Sequence, residues 1–446
     1  MKIAFVNQAI DVILPPYQTS VGACTFGAAT PLSRACDVVV FGMLSGHQPS
    51  DVVLNPRLHF HFLPSTPKDR FIDRARRRYQ RLVRTASPVS SSPWQFADFG
   101  RDVAERIQQE HCDVVHIQHS APYIPAIRAA NPHSKIVLHL HAEWFSQNNP
   151  ARLHRWLRHV DLVTTVSHYI TQKTKRDFPA IADRCETTYN GIDALEFSRE
   201  PDRYRTPQNP KRILYSGAVS PHKGLHVLID AFKLVAERHQ NVRLDISGPI
   251  VSYEFEEVFD LRDDRDQLDK LAHFYARGAM PYLKTKFSSA PSPSEAYLAH
   301  LKQLVPENLR DRVTFLGMIP RSELVDRYYT SDVFAFAPIW NEGFGIPPVE
   351  AMAAGLPVVA SRSGAVVETV KHRETGFLVE KNDPRQTAEA LLTLLENDSL
   401  RESMGRTARQ HVLHHFTWDR VASGMYSRYQ TLCSANASSQ LEGAGK

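Results

Sequence analysis

A chain of 446 residues is longer than one hydrophobic core usually grows, so two domains are expected. Its 42% hydrophobic content is ordinary for a globular protein, and no apolar run approaches the ~20 residues that span a bilayer. The net charge of +5 suits polyanionic ligands or an acidic surface without arguing for nucleic acid, and five scattered cysteines argue against metal or redox use.

Met1-Lys2-Ile3-Ala4-Phe5-Val6-Asn7 reads as a first strand rather than a secretion signal, since no continuous apolar core with a small-residue cleavage site follows. Apolar, β-rich segments then alternate with helical patterns through both halves, the signature of α/β domains with parallel sheets. First-half strands are expected at residues 2–7, 37–42, 58–63, 113–117, 135–140 and 161–166. Second-half strands are expected at 212–217, 242–247, 312–316, 332–337, 357–360 and 376–379. The polar, proline-rich run 197–210 is the expected linker, dividing domains at 1–196 and 211–418. Residues 434–446 read as a small, polar, disordered tail. Residues 68–84 carry eight cationic and two acidic side chains, with Phe71, Ala75, Tyr79, Leu82 and Val83 at helical spacing. Such a basic amphipathic helix suits an anionic membrane surface, a solvated helix packed on its domain, or contact with an anionic acceptor; with few interleaved aromatics and no recognised module, it gives nucleic-acid binding little support.

The run from Trp340 to Gly355 holds the densest chemistry. Glu342 and Glu350 stand eight residues apart, separated by Gly343-Phe344-Gly345-Ile346 and the start of a helix. The glycines permit a tight turn after the apolar strand 332–337, and Pro347 and Pro348 suit a helix's first turn, where a missing N–H costs nothing. Such a turn aims backbone N–H groups and the positive end of a helix dipole at one point, a place for phosphate. Two carboxylates flanking it are suited to accept hydrogen bonds from hydroxyls on either side of a diphosphate, as in a nucleotide sugar. The plainer reading is a strand, a turn and a helix with two solvated glutamates.

With Asp113–His119, Val137–His141, Asp161–Ser167, Asn190-Gly191-Ile192-Asp193, Pro221-His222-Lys223-Gly224, Arg312–Gly317 and Phe416-Thr417-Trp418 in order, the chain resembles the family-4 retaining glycosyltransferases over roughly residues 1–430. The resemblance implies the GT-B fold: two Rossmann-like parallel-sheet domains facing across a cleft, with a last helix (about 419–432) returning to the first domain. It implies a hexose-type sugar moved from a nucleoside diphosphate to an acceptor hydroxyl with retention, by front-face displacement that needs no metal or cofactor. By resemblance Lys223 binds the diphosphate, Glu342 the sugar hydroxyls and Glu350 the ribose. The backbone of Gly343, Phe344, Gly345 and Ile346 meets the phosphates, Gly317 and Met318 lie near the base, and Gly364 passes the donor. His141 touches the donor sugar near the reacting centre. Thr19, Ser20 and Gly22 border the acceptor, expected to be a glycan, a lipid-linked molecule or a small molecule. A cytoplasmic location is expected, at the membrane's inner face if residues 68–84 dock there.

The chain departs from the family in three places. The family's arginine five positions before Lys223 is Ala218 here, and His222 or Arg362 are the nearby candidates to replace it. The family's Gly-Gly turn after the first strand is replaced by Pro15–Gly22. An insertion at about 251–290, holding seven aromatics, is expected to be a lid or acceptor-side wall, or else a peripheral elaboration. Asp264-Arg265-Asp266 inside it resembles the metal pair of the other glycosyltransferase fold but reads better as a solvated helix face. His139 and His141 share a strand face without a third metal ligand, and His59 with His61 is a weaker pair of the same kind. A sugar-nucleotide sensor or assembly subunit, and a GT-B epimerase, are the alternative functions.

Overall fold

The computed structural model describes residues 1–44, 48–82, 96–143, 150–199, 209–251 and 292–443, with Trp94, Phe145, Leu271 and Phe274. The chain forms two compact units, Met1–Gly191 with Trp418–Lys446, and Ile192–Thr417.

The first unit carries strands β1 (Lys2–Val6), β2 (Asp37–Met43), β3 (Asp51–Asn55), β4 (Leu58–Leu63), β5 (Val114–Gln118), β6 (Lys135–Leu140), β7 (Leu162–Thr165) and β8 (Cys185–Thr187). They form one eight-stranded sheet in the order β3-β4-β2-β1-β5-β6-β7-β8, parallel except for the β3–β4 pair. Strands such as β1 and β2 are buried on both faces, which is why Ile3–Val6 and Val38–Phe41 read as continuous apolar runs. Ile3, Phe5, Val38, Val40, Leu58 and Phe60 form a core with Met425 and Tyr429 of the C-terminal helix Trp418–Gly443. Gly27 permits that helix its close approach: a Cβ there would lie 2.2 Å from the Trp418 indole nitrogen. The helix continues through Gly443, into the segment from 434 where the sequence suggests a disordered tail; residues 434–442 include no proline or glycine to stop it.

The second unit carries β9 (Lys211–Ser216), β10 (Val242–Ser247), β11 (Val313–Gly317), β12 (Val333–Phe336), β13 (Val358–Ser361) and β14 (Gly376–Val379). Its six-stranded parallel sheet has the order β11-β10-β9-β12-β13-β14. Phe197, placed in the linker by the sequence, is buried in this unit with its ring 6.2 Å from Tyr328 and 6.5 Å from Tyr329. The division therefore falls between Gly191 and Ile192, earlier than a break at 196. Of the insertion only Val251, Leu271 and Phe274 are described; Phe274 meets the Tyr297 ring edge-on, centroids 5.1 Å apart. The lid reading and Asp264-Arg265-Asp266 lie outside the described residues.

Each sheet reverses its strand order once, between β1 and β5 in the first unit and between β9 and β12 in the second. Loops leaving the C-terminal ends of strands on either side of such a reversal diverge and leave a crevice where ligands bind. The loops that follow β9, β12 and β13 carry Lys223, Glu342 and Gly364; those that follow β1 and β5 carry Thr19 and His119.

Candidate active site

In the second unit the turn Pro221–Lys223 follows β9, and Gly224 ends it at φ +69°. A Cβ on Gly224 would lie 1.8 Å from the carbonyl oxygen of Ala337, so glycine lets this turn lie against the end of β12. His222 is buried there, its carbonyl accepting from Ile339 N at 2.9 Å and its ring 4.9 Å from that of Trp340. Burial, then the adjacent Lys223, hold its pKa well below the ordinary histidine range, so it is neutral near pH 7.

Lys223 crosses to β12's loop and forms an ion pair with Glu342 Oε1, its Nζ 4.6 Å from the centre of the Trp340 ring. Trp340 Nε1 donates to the same oxygen at 2.7 Å. Glu342 is only 6% exposed, and its Oε2 accepts no hydrogen bond from the described residues. One oxygen is thus fixed and the other open to a ligand hydroxyl. The backbone is held as firmly: Glu342 N donates to Ser363 Oγ at 3.2 Å, and Ala365 N donates to Glu342 O at 2.9 Å. Gly364, at φ +49°, is what allows this, because a Cβ there would lie 2.3 Å from Glu342 O.

After Glu342 the chain turns through Gly345 (φ +86°) into the helix Ile346–Ala353, which no side chain caps. Pro347 and Pro348 carry no N–H, so this first turn offers an anion the Ile346 N–H and the positive end of the helix dipole. Phe344 packs its ring 5.8 Å from Phe416. Glu350, 8% exposed on this helix, accepts from Tyr328 OH at 3.0 Å and pairs with Arg321 at 2.7 Å. Arg321 also pairs with Glu196, its Nε donating at 2.8 Å. Despite burial, the two carboxylates hold the guanidinium pKa above its ordinary value, and burial followed by Glu350 raises that of Tyr328. Glu350 is consequently oriented by groups from two other segments, none of which the sequence reading named. Gly317 ends β11 at φ +67°, with Met318 exposed beside it.

The two expected replacements for the missing arginine differ in charge. His222 is neutral, and Arg362 pairs with Glu380 at 3.3 Å. Lys381, after β14, donates to Asn341 Oδ1, next to Glu342.

In the first unit His141 follows β6 and its Nε2 donates to Gln118 Oε1 at 2.7 Å, while its backbone N–H donates to His119 Nδ1 at 3.1 Å. Burial lowers His141, His119 and His116 to a pKa of about 3, so all are neutral near pH 7. His139 contacts Thr164 Oγ1 at 2.8 Å and meets the His141 ring edge-on, centroids 4.6 Å apart. Among the described residues no group of three or more histidine, cysteine or carboxylate side chains is arranged to hold a metal ion. Thr19 caps the helix Ser20–Leu32, accepting from Gly22 N at 3.2 Å and donating to Asp11 Oδ1 at 3.1 Å. Gly22 is glycine because a Cβ would lie 2.0 Å from Val12 O. Asp11, whose pKa burial raises to about 6, lies in the same loop, beside a hollow lined by Gln8, Ile10, Phe96, Ser120 and Tyr123.

The profile described as Glycosyl transferases group 1 matches residues 196–285 and 294–411, and that of Glycosyltransferase Family 4 matches 32–194. The chain belongs to the family-4 glycosyltransferases. Among relatives of this glycosyltransferase, the putative glycosyltransferase YtcC of Bacillus subtilis is 28% identical over 74% of this chain and 75% of that one. A D-inositol 3-phosphate glycosyltransferase of Corynebacterium efficiens is 29% identical over 58% and 53%. Sucrose-phosphate synthase from Thermosynechococcus elongatus is similar in structure with TM-score 0.69 at 19% identity, over 97% of this chain and 99% of that one. HepE from Anabaena, in complex with UDP-glucose, gives 0.62 at 18% over 97% and 100%. At such identity the likeness is one of fold, and that fold is GT-B.

Proposed function

We propose that this glycosyltransferase moves a hexose-type sugar from a nucleoside diphosphate to an acceptor hydroxyl, with retention of configuration. One observation carries the reading: an uncapped helix N-terminus at a switch point, flanked by Glu342 with one open oxygen and by the anchored Glu350. The diphosphate meets the N–H groups from Gly343 to Ile346, where helix dipole and fixed donors favour it. Lys223 has three N–H donors, of which Glu342 engages one, so the others serve the phosphate as charge builds on it in the transition state. Glu342 takes the sugar hydroxyls and Glu350 the ribose hydroxyls, with Gly317 and Met318 beside the base and Gly364 holding the Glu342 backbone. Lys381 is the cation that serves in place of an arginine at Ala218.

Neutral His141 contributes a hydrogen bond rather than a charge near the reacting carbon. The leaving phosphate takes the acceptor's proton in front-face displacement, so neither a protein base nor a divalent ion carries that step. The acceptor enters by the loop of Thr19, Ser20 and Gly22 and is a glycan or glycolipid; the relative named for D-inositol 3-phosphate extends the range to a small polyol phosphate. The donor is expected to be a UDP-, GDP- or ADP-sugar, and UDP-glucose in the HepE complex favours testing UDP first. Nucleotide sugars of this kind assign the work to the cytoplasm. Ala218 favours a second reading, a sugar-nucleotide sensor with weak turnover.

The test offers each donor with pooled glycan, glycolipid and polyol acceptors and follows products by mass spectrometry and NMR. A new glycoside with the donor's anomeric configuration is the expected result. A changed sugar with no glycoside would mean an epimerase, an inverted anomer would end the retaining mechanism, and binding without product would favour the sensor.

A further inference from the structure

We propose that the outward face of the helix Pro67–Leu82 docks the protein on an anionic phospholipid surface. A helix with an apolar stripe normally turns that stripe inward. Here the reverse holds. Phe71 and Tyr79 are 68% and 58% exposed, and Ala75 between them is exposed too. Lys68, Arg70, Arg74 and Arg78 share the exposed surface, and no described side chain on it is acidic.

The inward side accounts for how the helix is held without its stripe. Asp69 is buried and accepts the backbone N–H groups of Asp98 and Phe99 at 3.2 and 3.0 Å, capping the helix Ala97–Glu110. Ile72, Asp73 and Arg76 are half-buried beside it. The aromatic stripe is therefore unnecessary to this attachment and open to another phase.

Among the described residues the exposed arginines of this helix have no carboxylate partner. Arg74 donates to the carbonyl of Arg70, and Arg70 to that of Ser65; no described carboxylate pairs with either or with Arg78. Lys68 alone has a partner, Asp98 at 3.4 Å. Arg152 adds to the positive field on this side: after burial, it is what lowers the pKa of Arg76. Cations round an apolar stripe are the composition of a helix lying in a membrane interface, where the rings enter the acyl boundary and the guanidinium groups meet phosphates. A soluble polyanion would satisfy the charges and leave Phe71 and Tyr79 in water. Among the described residues no helix is long and apolar enough to cross a membrane, so the contact is peripheral.

The inference does not depend on the donor reading. It is tested by sedimenting the full-length protein with vesicles of phosphatidylcholine alone and of phosphatidylcholine mixed with phosphatidylglycerol. Wild type is expected on the anionic vesicles and not on the neutral ones. Arg74→Glu with Arg78→Glu should weaken partition at least about 30-fold, from two lost cations near an anionic surface. Phe71→Ser with Tyr79→Ser should weaken it severalfold and abolish what remains at high salt. Unchanged melting temperatures in both double variants would confirm that the surface alone was altered. Equal wild-type partition on both vesicles, or wild-type binding by either variant, would overturn the proposal. So would retention on dextran sulfate with no vesicle binding.

Discussion

Arg321 joins Glu350 to Glu196, and its removal tests how the ribose-side glutamate is held. Breaking a fully buried pair costs about 3–5 kcal/mol, but Arg321's side chain is 39% exposed, so Arg321→Ala should cost only on the order of 1–3 kcal/mol. Its larger effect should be on donor affinity, because among the described residues Glu350 would keep the Tyr328 hydroxyl alone to orient it. Calorimetric titration with the donor found in the screen should give a raised Kd; wild-type affinity would mean that Glu350 needs no such support. Arg321, Tyr328 and Glu196 were not legible in the sequence because no spacing links them to Glu350; they meet it only once β11 and β12 are laid in the sheet. Lys381 was hidden for the same reason. Glu342, Glu350 and Lys223 were legible because turn glycines, helix-start prolines and charged residues lie in short contiguous runs.

At the scale of elements, the strands read most clearly where burial is two-sided. β1, β2 and β12 hold continuous apolar runs matching parallel, doubly covered strands. β3 and β8 escaped the reading. Each is a sheet edge, short and partly exposed, so neither carries that signal. The C-terminal helix Trp418–Gly443 shows how one small residue sets a docking. Gly27→Ala would push a Cβ into the Trp418 ring, and overpacking of this kind costs about 1–3 kcal/mol. Urea denaturation followed by tryptophan fluorescence should register that loss. An unchanged midpoint would show that the indole shifts freely and that Gly27 is not needed for the contact.

Across the whole molecule, both sheets concentrate their chemistry at a single reversal of strand order, and both bury histidines close to it. His116, His119 and His141 are held to a pKa of about 3, and His139 and His222 well below 6.5. Below about pH 6.5 the unfolded chain binds protons that the folded chain refuses, so stability is full above that pH and falls as pH drops, by up to ~1.4 kcal/mol per pH unit for each histidine. Asp11, raised to about 6, acts oppositely: it favours the fold at low pH and loses that contribution as pH rises through about 6. One carboxyl offsets one imidazole, so the histidines dominate. The urea midpoint should therefore fall between about pH 7 and about pH 5. His119→Asn, whose Oδ1 can still accept from His141 N, should flatten that fall; a midpoint that rises on acidification would contradict the assignment. The central claim is the nucleotide-sugar site of the second unit, and equilibrium binding of nucleoside diphosphates tests it most directly. UDP, GDP and ADP would be titrated into wild type, Lys223→Ala and Glu350→Gln. One nucleotide should bind wild type, with affinity lowered at least about tenfold in each variant, the loss of one charge-assisted contact to a ligand. Equal affinity in all three proteins, or no binding of any nucleotide to wild type, would contradict it.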